Sequence, residues 1–376
     1  MSTLATNAIT DASGGNTATI NSYTPTESNM AGRNRLINSD MRIDQRNAGA
    51  AVTVNTVGIF SVDRWANIAR ATGGGVYSAQ QVSDSPTGFN NSLKLTVTTA
   101  DTSLITNDYY FSWQKIEGYN TADLMFGTAN AKTVTLSFWV KSSITGQFSA
   151  FLTNSAESYS QPFAYTISAA DTWEFKTITF TGATAGTWIG STNGTGLIVG
   201  FGLANGTSLQ GTSGSWGATY YYGSTGDVNW MATIGNTFQY TGVQLEVGSV
   251  ATPFQRRQYG QELALCQRYF IKYYSSSPTS LYYRYCYGEC DSTTSFLGGI
   301  YFPVVMRNSP ALTASGSFAV YSASAIRSVS VSLDVNSIEP TGVNVSCSGS
   351  GFSTGNGGAL ISNNNTSTSL SFSAEL

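Results

Sequence analysis

Apolar and polar residues alternate with a period of two through most of the chain. Ser92-Leu93-Lys94-Leu95-Thr96-Val97 is one such run, and Thr133 to Val140 places Val134, Leu136, Phe138 and Val140 on one face. Leu197, Val199, Phe201 and Leu203 form a third set, and Val243, Leu245 and Val247 a fourth. Glycine-, asparagine- and serine-rich turns separate the runs, and no helical period lies between them. The pattern predicts an antiparallel jelly roll or β-sandwich over residues 50–254. After Ser275 a second β region begins: Ile326 to Val335 alternates, and Ser369 to Ser373 repeats the style. Residues 275–376 are therefore expected to form a second β-sandwich domain that serves oligomerisation. No repeat on the scale of about 20–50 residues is visible, which argues against a solenoid. The fold class is all-β.

One segment departs from this pattern. After Pro253, the run Gln255 to Tyr274 carries Tyr259, Leu263, Cys266, Phe270 and Tyr273 at 4-3-4-3 spacing. The spacing predicts a connecting amphipathic helix over 255–274. Two uses of that helix stay open: it lies on a sheet, or Tyr259, Leu263, Phe270 and Tyr273 form a short interchain seam. At the other end, residues 1–32 are a polar tract that cannot bury a core of its own. Residues 33–48 change character, with Arg33, Arg35, Arg42 and Arg46 interleaved with Asp40 and Asp44. Residues 1–32 are either mobile or held by a partner, residues 33–48 read as an ordered, charge-paired entry segment, and together residues 1–49 are expected to form an extended attachment segment.

Composition then removes whole classes of function. Only 10 % of residues are charged, so Ser, Thr, Asn, Gln and Gly must carry the solvated faces. There is no histidine, hence no Ser-His or Cys-His nucleophile, no imidazole base and no His-ligated zinc. The net charge is −3 and the basic residues are scattered, so no nucleic-acid partner is expected. No apolar stretch is long enough to span a bilayer, and Met1 to Thr10 lacks the basic start and apolar run of a signal peptide. Cys266, Cys286, Cys290 and Cys347 are too few for a disulfide scaffold. They read as buried free thiols, with one disulfide and then a metal site as the alternatives.

What chemistry remains? Hydrolysis of a glycosidic bond needs two carboxylates about 5–10 Å apart. Glu157, Asp171, Glu174 and Asp227 are available, but no motif pairs any two, and no catalytic residue is expected. Saccharide binding needs flat rings for the C–H face of a pyranose and planar polar groups for its hydroxyls. Trp139 lies on the face opposite Val134, Leu136, Phe138 and Val140, away from the core. Ser215 to Gly223 is the densest aromatic loop, with Trp216, Tyr220, Tyr221 and Tyr222, backed by Asp227 and Trp230. Such Tyr/Trp/Gly/Ser loops are chemically like antibody recognition loops. Trp113, with Tyr109, Tyr110 and Gln114, is a further candidate. For each ring, packing in a core or subunit interface stands beside ligand contact. Gln244 and Glu246, outward on their strand, read as partners in local hydrogen bonds.

Two stretches resemble a known family. Asn34-Arg35-Leu36-Ile37-Asn38-Ser39-Asp40-Met41-Arg42-Ile43-Asp44-Gln45-Arg46-Asn47-Ala48-Gly49, followed by Val62-Asp63-Arg64-Trp65, resembles the opening of many tailed-bacteriophage fibre and virion surface proteins. Gly242 to Gly248 with Ala251-Thr252-Pro253-Phe254, then Tyr259 to Tyr269, resembles the close of the same module. Between them, Val134 to Lys141 and Trp173 to Phe180 are similar to jelly-roll carbohydrate-binding modules. The resemblance covers residues 33–275. It implies a non-enzymatic protein of the phage particle surface, of tail-fibre or receptor-binding type, trimeric and binding host-surface polysaccharide, with the N-terminal segment attached to other virion proteins. The family uses no cofactor beyond a structural calcium ion, whose ligands the motifs do not specify. A capsid decoration or head-fibre protein is the alternative, and a polysaccharide depolymerase the second.

Overall fold

The computed structural model describes residues 32–275 and 279–376, so the expected attachment segment lies outside the described residues as far as position 31. The chain divides into two compact units. Unit 1 holds the described residues up to Arg42, Gly49–Ser61 and Trp65–Arg256; unit 2 holds Ile43–Ala48, Val62–Arg64 and Arg257–Leu376.

Unit 1 contains β1 (Val52–Val54), β2 (Ile59–Phe60), β3 (Ala66–Arg70), β4 (Val76–Val82), β5 (Ser92–Thr99), β6 (Tyr109–Glu117) and β7 (Val134–Ser142). It continues with β8 (Gly146–Thr153), β9 (Ser160–Ile167), β10 (Glu174–Phe180), β11 (Thr195–Asn205), the short β12 (Gln210–Gly211) and β13 (Gly223–Ser224), and β14 (Thr237–Val247). Two six-stranded sheets result, in the orders β1-β4-β5-β14-β7-β10 and β2-β3-β6-β11-β8-β9. The alternating sets point between the sheets: Val134, Leu136, Phe138, Val140, Leu93, Leu95, Val199, Phe201 and Leu245 are all fully buried. Rings cross the gap, Phe138 to Phe201 at 4.9 Å and Phe148 to Phe238 at 5.4 Å between centroids. This is the sandwich that the period-two runs predict.

The second sheet also buries its outer face. On β6, Tyr110 and Ser112 turn inward, where Ser112 bonds the Tyr240 hydroxyl of the opposite sheet, so Phe111 and Trp113 turn outward. There they pack with Phe151, Leu209 and Tyr222, brought over by the segment after β11. Glycine on β11 makes room for this layer. A Cβ on Gly200 would stand 2.3 Å from the Phe151 ring, and one on Gly202 would stand 2.2 Å from the Tyr222 carbonyl oxygen.

The two quoted motifs are bonded to each other within unit 1. Asn34 donates from Nδ2 to the Val243 carbonyl at 2.9 Å, and its Oδ1 accepts from the Leu36 and Leu245 amides. The Arg35 amide donates to the Leu245 carbonyl, and the Val243 amide to that of Ser39. Trp65 closes the set, its indole N–H donating to the Asn38 carbonyl at 3.1 Å.

Unit 2 begins with α1 (Tyr259–Gln267), then β15 (Phe270–Tyr274), β16 (Arg284–Glu289), β17 (Ser295–Tyr301) and β18 (Ala311–Ser315). It ends with β19 (Phe318–Ser322), β20 (Ala325–Glu339), β21 (Gly342–Ser348), β22 (Gly357–Ser362) and β23 (Ser369–Ser373). Here the expected second sandwich is replaced by a closed barrel, β16-β17-β21-β20-β19-β22, beside a three-stranded sheet β15-β23-β18. Alternation alone does not separate the two, because both bury one face of every strand. The expected helix over 255–274 is also corrected. Only nine residues are helical, and the aromatic run Phe270-Ile271-Lys272-Tyr273-Tyr274 pairs with β23 instead. Tyr259, Leu263, Phe270 and Tyr273 therefore share no helical face, which removes the spacing argument for an interchain seam. All four cysteines are buried free thiols.

The pieces Ile43–Ala48 and Val62–Arg64 are held in unit 2 by charge. Arg46 donates to Glu375 Oε1 at 2.7 Å and Arg64 donates to Glu375 Oε2, while their guanidinium groups lie 3.6 Å and 3.5 Å from the ring centres of Phe270 and Tyr269. Asp63 accepts from the Gln45 amide and side chain. Burial raises its carboxyl to about 7, against the pull of Arg46 and Gln45. A folded value above the ordinary 3.8 means that its contribution to stability is complete below that pH and is lost as pH climbs to about 7. Relative to Asp63→Asn, the protein is expected to lose on the order of 2–4 kcal/mol between those limits, read from denaturant unfolding at several pH values.

Candidate functional site

A cavity of about 480 Å³ opens where the ends of β3 and β6 meet the loops after β8 and β11, lined by Arg70, Asn107, Tyr109, Ala156, Glu157, Leu209, Tyr220 and Tyr222. Register places Arg70 directly opposite Tyr109, and the guanidinium donates to the Tyr109 hydroxyl at 3.3 Å. Tyr222 is the buried wall. Its ring touches those of Tyr109 at 5.3 Å, Phe111 at 4.4 Å and Phe151 at 5.3 Å, and its hydroxyl donates to Glu157 Oε2. Burial first, and then that carboxylate, push the Tyr222 phenol well up, so it stays a donor at any physiological pH. Tyr220 leans on Tyr222 at 6.0 Å but is 45 % exposed, a ring face left open at the mouth. Ser208 donates to Asn107 Oδ1 at 2.7 Å and orients that amide. The cleft thus combines aromatic walls with a guanidinium, an amide and a carboxylate.

The remaining residues of the aromatic loop serve other ends. Tyr221 points the other way and fills the space over Gly211 and Gly217. Trp216 stacks flat on Tyr159 at 5.4 Å, meets Trp188 edge-on at 5.7 Å, and donates its indole N–H to the Thr181 carbonyl, forming a loop cluster apart from the cleft. Asp227 accepts from the Ser224 amide and from Gln147 at 2.9 Å each; it pins a turn, and burial raises its carboxyl. Trp230 is fully buried against Tyr77, and Trp113 is buried in the outer layer of the second sheet. As ligand contacts, Trp230 and Trp113 are ruled out by burial, while Trp216, Tyr221 and Asp227 lie outside the cleft lining.

Trp139 lies in a second groove of about 380 Å³, with Phe89, Ser137, Phe175, Thr252, Pro253, Phe254 and Arg256. It faces Phe175 across the β7–β10 ladder, rings 5.4 Å apart. Gln244 and Glu246, buried on the neighbouring strand β14, hold the segment that lines the other side of the groove. Glu246 accepts from the Thr252 amide at 2.8 Å and Gln244 Oε1 from the Gln255 amide at 2.7 Å, which folds Phe254 over the sheet. The local hydrogen bonds expected of these two residues are present. The groove is mainly apolar, and the Arg256 guanidinium is spread over Phe89 at 4.7 Å.

Arg70, Asn107 and Glu157 complete the cleft with no shared motif. Glu157 is visible in the sequence only as a stray carboxylate, and only strand register brings Arg70 to Tyr109. Among the described residues no three His, Cys, Asp or Glu side chains converge on one point.

No protein-family model and no curated protein matches the chain. Among solved structures it is similar to a putative sugar binding protein from Bacteroides thetaiotaomicron, at 10 % identity and a TM-score of 0.32 over 57 % of this chain and 100 % of that one. It is also similar to the enzymatically active domain of tailspike protein 4 of bacteriophage CBA120, at 13 % identity and a TM-score of 0.29 over 57 % of this chain. The match spans only 21 % of that tailspike chain. A family 11 carbohydrate-binding module from Clostridium thermocellum, in complex with a beta-1,3-1,4-mixed-linked tetrasaccharide, aligns at 13 % identity and a TM-score of 0.28, over 54 % of this chain and 98 % of that one. These likenesses are distant, and the fold stands on the strand order and register above.

Proposed function

We propose that the protein is a surface component of a bacteriophage particle whose unit 1 binds host-surface polysaccharide in the Tyr109–Tyr220–Tyr222 cleft, without cleaving it. One observation carries the reading: three phenol rings converge with Arg70, Asn107 and Glu157 on one open cavity. Rings cover the C–H face of a pyranose, and planar polar groups fix the directions of its hydroxyls. Glu157 is the single carboxylate among the lining residues and already accepts from Tyr222, whereas glycoside hydrolysis calls on two. The virion assignment rests on the opening and closing motifs, and antibody labelling of purified phage particles tests it.

The binding reading is tested on an array of bacterial capsular, O-antigen and teichoic-acid glycans. Tyr220→Ala and Arg70→Ala are each expected to weaken the bound glycan tenfold or more, about 1.4 kcal/mol, with the melting temperature unchanged because both residues are exposed. Loss in Trp139→Ala alone would move the site to the second groove. Retention in all three variants would sink the reading.

A further inference from the structure

The polar groups that line the unit 1 cleft are unbalanced between donors and acceptors. Arg70 is exposed there, and one guanidinium nitrogen, Nη1, donates to the Tyr109 hydroxyl. Its Nε–Nη2 edge engages no group among the described residues, and no carboxylate among them pairs with it. Asn107 accepts from Ser208 through Oδ1, which leaves its amide N–H groups to the cleft. The Tyr109 and Tyr220 hydroxyl protons are likewise uncommitted among the described residues.

Acceptors are few by comparison. Glu157 Oε2 takes the Tyr222 hydroxyl proton, so Oε1 is what remains of that carboxylate. Asp108, next to Tyr109 in the chain, is buried, and its oxygens accept from the Thr72 and Ile105 amides. The nearest acids are therefore committed to holding the fold, while the cation of the cleft keeps an open edge. A ligand that complements this surface brings acceptors and negative charge.

We infer that the cleft takes an acidic saccharide, with the carboxylate of a uronic-acid unit seated on the open edge of Arg70. This rests on the cleft being the saccharide site and names the class of its ligand. A planar carboxylate accepts in bidentate fashion from the Nε–Nη2 edge, a match that a single hydroxyl does not offer. The phenol rings of Tyr109, Tyr220 and Tyr222 exclude water beside that pair, which strengthens charge-assisted hydrogen bonds. The open Tyr220 ring covers the C–H side of the same sugar. Glu157 repels the acid and accepts a sugar hydroxyl through Oε1, so the ligand lies with its acid end at Arg70. At about 480 Å³ the cavity falls within the range of small-ligand pockets.

The test uses acidic bacterial capsular polysaccharides, each printed beside a twin whose uronic acids have been reduced to neutral sugars, together with phosphodiester-linked teichoic acids. The full chain should bind uronate-bearing glycans and lose about tenfold or more in affinity for their reduced twins. That affinity should fall as sodium chloride is raised. Arg70→Gln should bind acid and twin alike, with the salt dependence gone. Arg70→Lys keeps the charge without the fork, so it should keep the preference by a smaller margin. A glycan bound equally with and without its carboxyl groups overturns the inference and leaves the cleft as a neutral-sugar site. Preference for teichoic acid overturns the carboxylate assignment, and an acid preference that survives Arg70→Gln places the charge elsewhere and overturns it too. Binding to no glycan at all sinks the saccharide reading and this inference with it, so the two failures are told apart.

Discussion

Trp230→Ala is expected to destabilise unit 1 by about 3–5 kcal/mol, the range for emptying a large aromatic site in a core. Trp230 has no solvent exposure and meets Tyr77 edge-on at 5.8 Å. The Tyr77 hydroxyl in turn accepts from the Ile68 amide and lies 3.1 Å from the carbonyls of Ile68 and Phe111, where its one proton is shared, so a cavity here loosens a bond that joins the two sheets. Trp230→Phe separates packing from polarity. The indole N–H is buried with no hydrogen-bond partner among the described residues, and an unsatisfied donor of that kind costs about 1–3 kcal/mol. Phenylalanine removes that donor and keeps most of the ring, so its cost should be a small fraction of the alanine cost. Chemical denaturation followed by tryptophan and tyrosine fluorescence measures both. A phenylalanine variant as unstable as the alanine one would show that the indole volume alone matters.

Glu375→Gln is the second large effect, expected to cost about 3–5 kcal/mol of unit 2 stability. The carboxylate holds Arg46 and Arg64 at once, and the Arg64 side chain is only 2 % exposed. Glutamine presents one neutral oxygen where two guanidinium groups engage a carboxylate, which takes a charge partner from the buried Arg64. Hydrogen exchange should show the loss concentrated in β15 and β23, whose ladder carries Phe270 next to this pair. Uniform weakening across both units would argue against a local latch.

Much of the architecture is legible in the residue pattern, and the site is not. Val134 to Val140 and Leu197 to Leu203 identify themselves as strands because one buried face repeats at every second position. The helix fails on the same logic: a 4-3-4-3 spacing fits a helical face, yet Phe270 to Tyr274 is a run of aromatic and β-branched residues that a sheet edge captures. Crowding of Tyr220, Tyr221 and Tyr222 points to the right loop, but which ring is open depends on how the loop packs: Gly202 of β11 admits the Tyr222 backbone, and Gly211 and Gly217 admit the Tyr221 ring. Trp230 and Trp216 look alike as loop tryptophans. Only the packing against Tyr77 or Tyr159 tells them apart. Arg70 and Glu157 belong to the cleft through register and a turn, and neither leaves a local signal.

The assembly of unit 2 from three stretches of chain constrains how such a gene can exchange parts. A single recombination event near codon 256 would swap the barrel but leave Arg46, Asp63 and Arg64 of the old parent facing a foreign C-terminus. Unless the incoming tail also carries a carboxylate at the position of Glu375, the hybrid loses the acid that both guanidinium groups engage. Viable mosaics should therefore conserve that acid or trade both ends together, and comparing natural recombinants would show which.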